Sequence, residues 1–182
     1  MRAILSSLFR RAGIVLRVVR ALIGNNRFYD GITIYGNEDF IESTIKALEL
    51  LKGKIPDTYK LVQKHIGDIV SETPSGVFTD LRRFGPTFVI VAPSCSNGSI
   101  REYAADLAHE AYHCELYSNA ERGGLGSHVE PSAYSGENAE KLCLQYQCDV
   151  LRKLGMSEIE VQDYEGLIRT RWWEVPYEKR DW

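Results

Sequence analysis

Residues 87–113 read TFVIVAPSCSNGSIREYAADLAHEAYH, and their reading decides the fold. The first part, TFVIVAPSC (87–95), is short, apolar and β-branched, which is the signature of a strand. The pattern then changes. Ser99 followed by Glu102 is a capping box, in which each side chain satisfies the other's backbone N–H, and an apolar run follows. A helix is therefore predicted from about Ile100 to about Tyr117. It carries His109, Glu110 and His113, the H-E-x-x-H arrangement of two histidines and one glutamate. On a helix, positions i and i+4 lie one turn apart on the same face, so both imidazoles can point at one ion. Glu110 is rotated about 100° from His109, and can reach an attacking water without occupying the metal.

Upstream of this unit, FYDGITIYG (28–36) alternates like a strand. In the next stretch Asn37 is an N-cap and Glu38 and Asp39 suit a first helical turn, with Gly53 as the stop. Phe40, Ile41, Thr44, Ile45, Leu48 and Leu51 form the apolar face. Pro56 opens a second helix with Tyr59, Val62 and Ile66 inward and Gly67 at its end. DIVSETPSGVFTD reads as strand, turn and strand. Downstream, 118–136 is rich in Gly, Ser and Asn and reads as a long loop of the kind that often carries function. GENAEKLCLQYQCDVLRKLG (136–155) reads as a long helix, and the capping box of Ser157 and Glu160 starts a last one over about 158–170. This order implies an α+β fold, with helices packed beside a small, mostly antiparallel sheet.

Zinc needs a third protein ligand, and three residues are candidates. Glu140 leads, because it shares a helix face with Cys143, Gln147 and Leu151, and a carboxylate on an inward face is costly unless paired or metal-bound. Glu137, one turn nearer the helix end, and His128, in the loop, are the alternatives. Tyr134 and His128 in the loop, and Tyr112 inside the motif, are candidates to stabilise an oxyanion, with Tyr134 preferred. Gln147 could supply a supporting hydrogen bond.

His109-Glu110-x-x-His113, followed by a helical Glu140, resembles the gluzincin branch of the zincin-like metallopeptidases. AYSGENAEKLCLQYQ is similar to the matching stretch of small bacterial zincins. The resemblance covers roughly residues 28–155. It implies a zincin-like domain over residues 27–182, with Zn2+ held by His109, His113 and Glu140. It further implies Glu110 as general base, a Tyr or His at the oxyanion, a peptide or protein substrate, and strand 87–95 as the edge that flanks the cleft. The sequence departs from the thermolysin type, since Glu140 lies between Ala139 and Lys141 rather than in N-E-x-x-x-D. It also lacks the third histidine of the metzincins. The alternative reading is a non-catalytic or regulatory zinc-binding module on the same scaffold.

Bulk properties set the surroundings. A chain of 182 residues with 44% hydrophobic content can bury a sizeable core, and a net charge of −3 offers no field for nucleic acid. Cys95, Cys114, Cys143 and Cys148 include no CxxC pair, so reduced buried thiols in a cytoplasmic protein are expected, with a Cys114–Cys143 disulfide as the one pairing the helices would allow. Residues 1–26 form a separate arginine-rich amphipathic segment. Within residues 1–23, Leu5, Leu8, Val15 and Val19 recur at helical spacing, while Arg2, Arg10, Arg11, Arg17 and Arg20 break every apolar run. Such a helix packs on its own domain, docks a partner or lies on an anionic membrane surface, and it is too interrupted to span one. Trp172, Trp173 and Trp182 cluster in the tail, where packing is their expected role.

Overall fold

The computed structural model describes residues 23–72, 76–78, 87–92, 98–121, 128–170 and 174. The arginine-rich segment and the three tryptophans fall outside these residues. The chain is α+β: β1 (Asn26–Tyr29), β2 (Ile32–Tyr35), α1 (Glu38–Lys54), α2 (Pro56–His65), β3 (Ile66–Ser71), β4 (Gly76–Phe78), β5 (Phe88–Ala92), α3 (Ile100–Ala120), α4 (Glu137–Lys153) and α5 (Glu158–Leu167). Short 3-10 turns cover Pro131–Ala133 and Ile168–Thr170.

The stretch 28–36, expected to be one strand, is a hairpin. Asp30 and Gly31 both take positive φ (46° and 94°), as a two-residue turn with right-handed strand twist requires. The turn is anchored, because the Asp30 carboxylate accepts from Lys52 Nζ at 2.8 Å and Tyr59 OH at 2.6 Å. The Asp30 carbonyl accepts from Gln63 Nε2 at 2.8 Å.

The sheet order is β1-β2-β3-β5-β4. It is mixed rather than mostly antiparallel: β1–β2 and β4–β5 are antiparallel, β2–β3 and β3–β5 parallel. The reason is in the connections. Two helices, α1 and α2, link β2 to β3, and a crossover of that length returns the chain in the same direction. The reading of 68–80 as two strands either side of a turn matches β3 and β4. β3 and β4 do not pair with each other, because β5 runs between them. Strand β5, expected at the edge, is therefore interior, and among the described residues β1 and β4 are the two edges. Gly67 does not end α2 but sits at an irregularity in β3 between Ile66 and Asp68, where a Cβ would lie 2.7 Å from Thr87 Oγ1.

The helices cover one face of this sheet. Ile34, Ile69 and Ile90 stand in one row across β2, β3 and β5, all fully buried, with Ile32, Ile66 and Phe88 beside them. Burial of each such side chain contributes about 1.5–3 kcal/mol. Helix α3 is central and packs against α1, α2 and α4. Its buried positions run around much of its circumference, and Ala104, Ala105, Ala108 and Ala111 let the neighbouring helices approach closely. The local signals hold at its start: Ser99 N donates to Glu102 Oε2 at 2.5 Å, and Glu102 N to Ser99 Oγ at 3.3 Å. Its end lies later than expected, at Ala120. Helix α1 runs through Gly53 and stops before Pro56, whose ring disfavours helical backbone in the residue before it. No helix among the described residues is long and apolar enough to cross a membrane.

Candidate metal centre

His109 and His113 project from α3 towards the start of α4. Both are buried, with Nε2 atoms 3.0 Å apart. Glu140, in the first turn of α4, is 6% exposed and sets Oε2 3.5 Å from His109 Nε2 and 3.3 Å from His113 Nε2. The positive end of the helix dipole favours a carboxylate there. The structure thus brings together the three residues ranked first for zinc. Glu137 and His128 are exposed and ion-paired locally, Glu137 with Lys141 at 2.6 Å and His128 with Glu130 at 3.0 Å. Neither joins the buried group.

Tyr134 enters through its backbone. Its carbonyl oxygen lies 2.8 Å from His113 Nδ1. A carbonyl can only accept, so Nδ1 carries a proton, and whenever the ring is neutral its Nε2 lone pair turns inward. The turn that presents this carbonyl is held by aromatic contacts. The Tyr134 ring meets Tyr117 edge-on at 4.8 Å, and Tyr117 meets Phe88 of β5 edge-on at 5.3 Å. Tyr112 stacks on Tyr146 at 4.7 Å, which gives it the packing role. Gln147 Nε2 donates to Asp106 Oδ1 at 2.6 Å, fastening α4 to α3 one turn before His109.

In the sequence, Cys143 reads only as a small buried residue. The structure places it fully buried, with Sγ in a group with His109 and His113 whose candidate ligand atoms all lie within 4.8 Å of one another. Its spacing from Glu140, i to i+3, was the available signal: the two share a face of α4. Cys114, Cys143 and Cys148 are free thiols, so the Cys114–Cys143 disulfide is not formed.

Electrostatics register the convergence. Burial opposes charge on His113, yet the neighbouring Cys143 thiol and Glu140 carboxylate outweigh it and raise the imidazole well above its ordinary range. Burial pushes Glu140 up, but His109 and His113 overcome it and hold the carboxyl down at about 2. Cys143 is raised, chiefly by burial. Glu140 Oε2 is buried and receives no hydrogen bond among the described residues. Two imidazole nitrogens and a carboxylate oxygen at 3.0, 3.3 and 3.5 Å from one another repel unless a proton or a metal cation lies among them. The edges of a tetrahedron built on zinc bonds of 2.0–2.1 Å are about 3.3–3.4 Å. The residues therefore fit a divalent metal, and His109, His113 and Cys143 form a buried group able to hold one.

No protein-family model, curated protein or solved structure matches the chain.

Proposed function

We propose that the protein is a zinc-dependent metallopeptidase on a zincin-like scaffold, with His109, His113 and Glu140 as metal ligands and Glu110 as general base. One observation carries this reading: the convergence of His109 Nε2, His113 Nε2 and the orphaned Glu140 Oε2 within 3.0–3.5 Å of one another, beside a helix-borne glutamate. A zinc ion held there would lower the pKa of water towards about 7 and polarise the scissile carbonyl. Glu110, partly buried next to His109, accepts the proton of the attacking water and passes it to the leaving amine. Tyr134 fixes the His113 tautomer through its carbonyl, and its hydroxyl is the preferred donor to the developing oxyanion. An extended peptide would pair with β4, the one of the two sheet edges among the described residues that contacts α3.

The test measures bound zinc by mass spectrometry in wild type and Glu110→Gln, and assays both on a peptide library. Zinc retained by both, with cleavage only by wild type, is the expected result. Absence of zinc from both proteins sinks the reading. Zinc without cleavage by wild type favours the alternative, a non-catalytic zinc-binding module. The Cys143 thiol beside the histidines is the observation on that side, since a further protein donor displaces water.

A further inference from the structure

We propose that Cys143 is a fourth protein donor of this centre, closing it in the resting state as a site of two histidines, one glutamate and one cysteine that selects thiophilic divalent ions. The inference rests on the metal reading above and adds to it the sulfur and its consequence.

Two observations carry it. Cys143 Sγ, His109 and His113 offer ligand atoms within 4.8 Å of one another, all from buried residues. Independently, Glu140, one helical turn before Cys143 on the same face of α4, aims a buried and orphaned oxygen at the same two nitrogens. The two imidazoles are thus approached from α4 by both a carboxylate and a thiol.

The donor set selects the ion. Two imidazoles, one carboxylate and one sulfur suit zinc, cobalt(II) or cadmium, whereas magnesium and calcium take oxygen ligands. Binding forms the sulfur–metal bond as the S–H proton passes to solvent, so the ion displaces a proton from Cys143. Four protein donors complete a tetrahedral shell and leave no position for water, whereas three leave one open. With all four donors bound no position is left for water, so that form would not hydrolyse a substrate.

The full-length protein is titrated with cobalt(II) and followed by absorption. In wild type we expect the intense visible bands of tetrahedral cobalt together with a near-ultraviolet thiolate-to-cobalt charge-transfer band. Cys143→Ser should lose the charge-transfer band and keep the visible ones, while Cys148→Ser keeps both. Zinc-loaded wild type, examined by X-ray absorption, should show one sulfur at about 2.3 Å, a readout that requires no variant to fold. Visible bands with no charge transfer, or an all-nitrogen-and-oxygen zinc shell, overturn the Cys143 assignment and leave the His-His-Glu site standing. Failure of every variant and wild type to bind cobalt or zinc overturns both.

Discussion

Helix α3 carries two buried polar clusters about 9 Å apart along its axis, and they differ in one respect. Around Tyr103 the hydroxyls are satisfied internally: the Thr44 hydroxyl bonds the Phe40 carbonyl and the Tyr103 hydroxyl, each at 2.8 Å. Around His109 and His113 the groups are similarly buried, yet the Glu140 oxygen receives no hydrogen bond among the described residues and two imidazole nitrogens face each other. The first cluster needs nothing from outside the chain. The second brings acidic and imidazole groups together in a buried group that could hold a metal ion.

Substitutions can break this contrast. The largest effect is expected from Glu110→Gln, which should lower peptide cleavage by about 10²–10⁴-fold, the usual worth of a general base, while leaving zinc content unchanged. Loss of zinc together with activity would instead make Glu110 part of the binding shell. Next, Glu140→Ala should abolish the metal-dependent part of stability. Saturation at 100 times Kd is worth about 2.7 kcal/mol, or roughly 5–11 °C in Tm for a chain of this size. An undiminished zinc-induced rise in Tm would move the third ligand elsewhere. At the satisfied cluster, Tyr103→Phe removes one hydrogen bond and should cost about 0.5–1.5 kcal/mol by denaturant unfolding, with zinc affinity unaltered. A drop in zinc affinity there would mean that the two clusters are coupled.

The pH dependence sharpens the same comparison. His113 is raised above 6.5 in the folded state, so its contribution is complete below 6.5 and is lost as pH rises through the raised value. Glu140 is lowered from 4.5 to about 2, so its contribution is complete above 4.5 and is lost as pH falls towards about 2. The metal-free protein is thus favoured between these limits, where a proton on the imidazole balances the carboxylate. Zinc must displace that proton, so the zinc-induced rise in Tm should be larger at about pH 8 than at about pH 5.5. Equal rises at both would mean that the ion does not bind these groups. Tyr103 and Thr44 should contribute no such dependence.

Local chemistry was legible. Asn37 caps α1, with its Oδ1 accepting from Phe40 N at 2.9 Å, and Ser157 with Glu160 opens α5 in the manner of Ser99 with Glu102. Each such signal acts within four residues, so no tertiary context is needed to read it. The Asp30-Gly31 turn was equally local and was missed because Ile32 and Ile34 continue the alternation across it. The order of the sheet was not legible: Val89, Ile90 and Val91 pair on both sides, and nothing in an apolar run says which strands will flank it. Cys143 lay between, its i+3 spacing from Glu140 visible but its approach to α3 not.

By itself, then, the sequence determined that His109, Glu110 and His113 sit on one capped helix with the histidines on a common face, because helical periodicity and capping are properties of neighbouring residues. Only the tertiary structure decided that α4 delivers Glu140 and Cys143 to that face, that the Tyr134 carbonyl meets His113 Nδ1, and that β5 lies inside the sheet rather than at its edge. Those outcomes depend on how helices pack around the alanines of α3 and on where a crossover returns the chain. Such contacts join residues far apart in sequence, whose meeting is set by burial of the whole core.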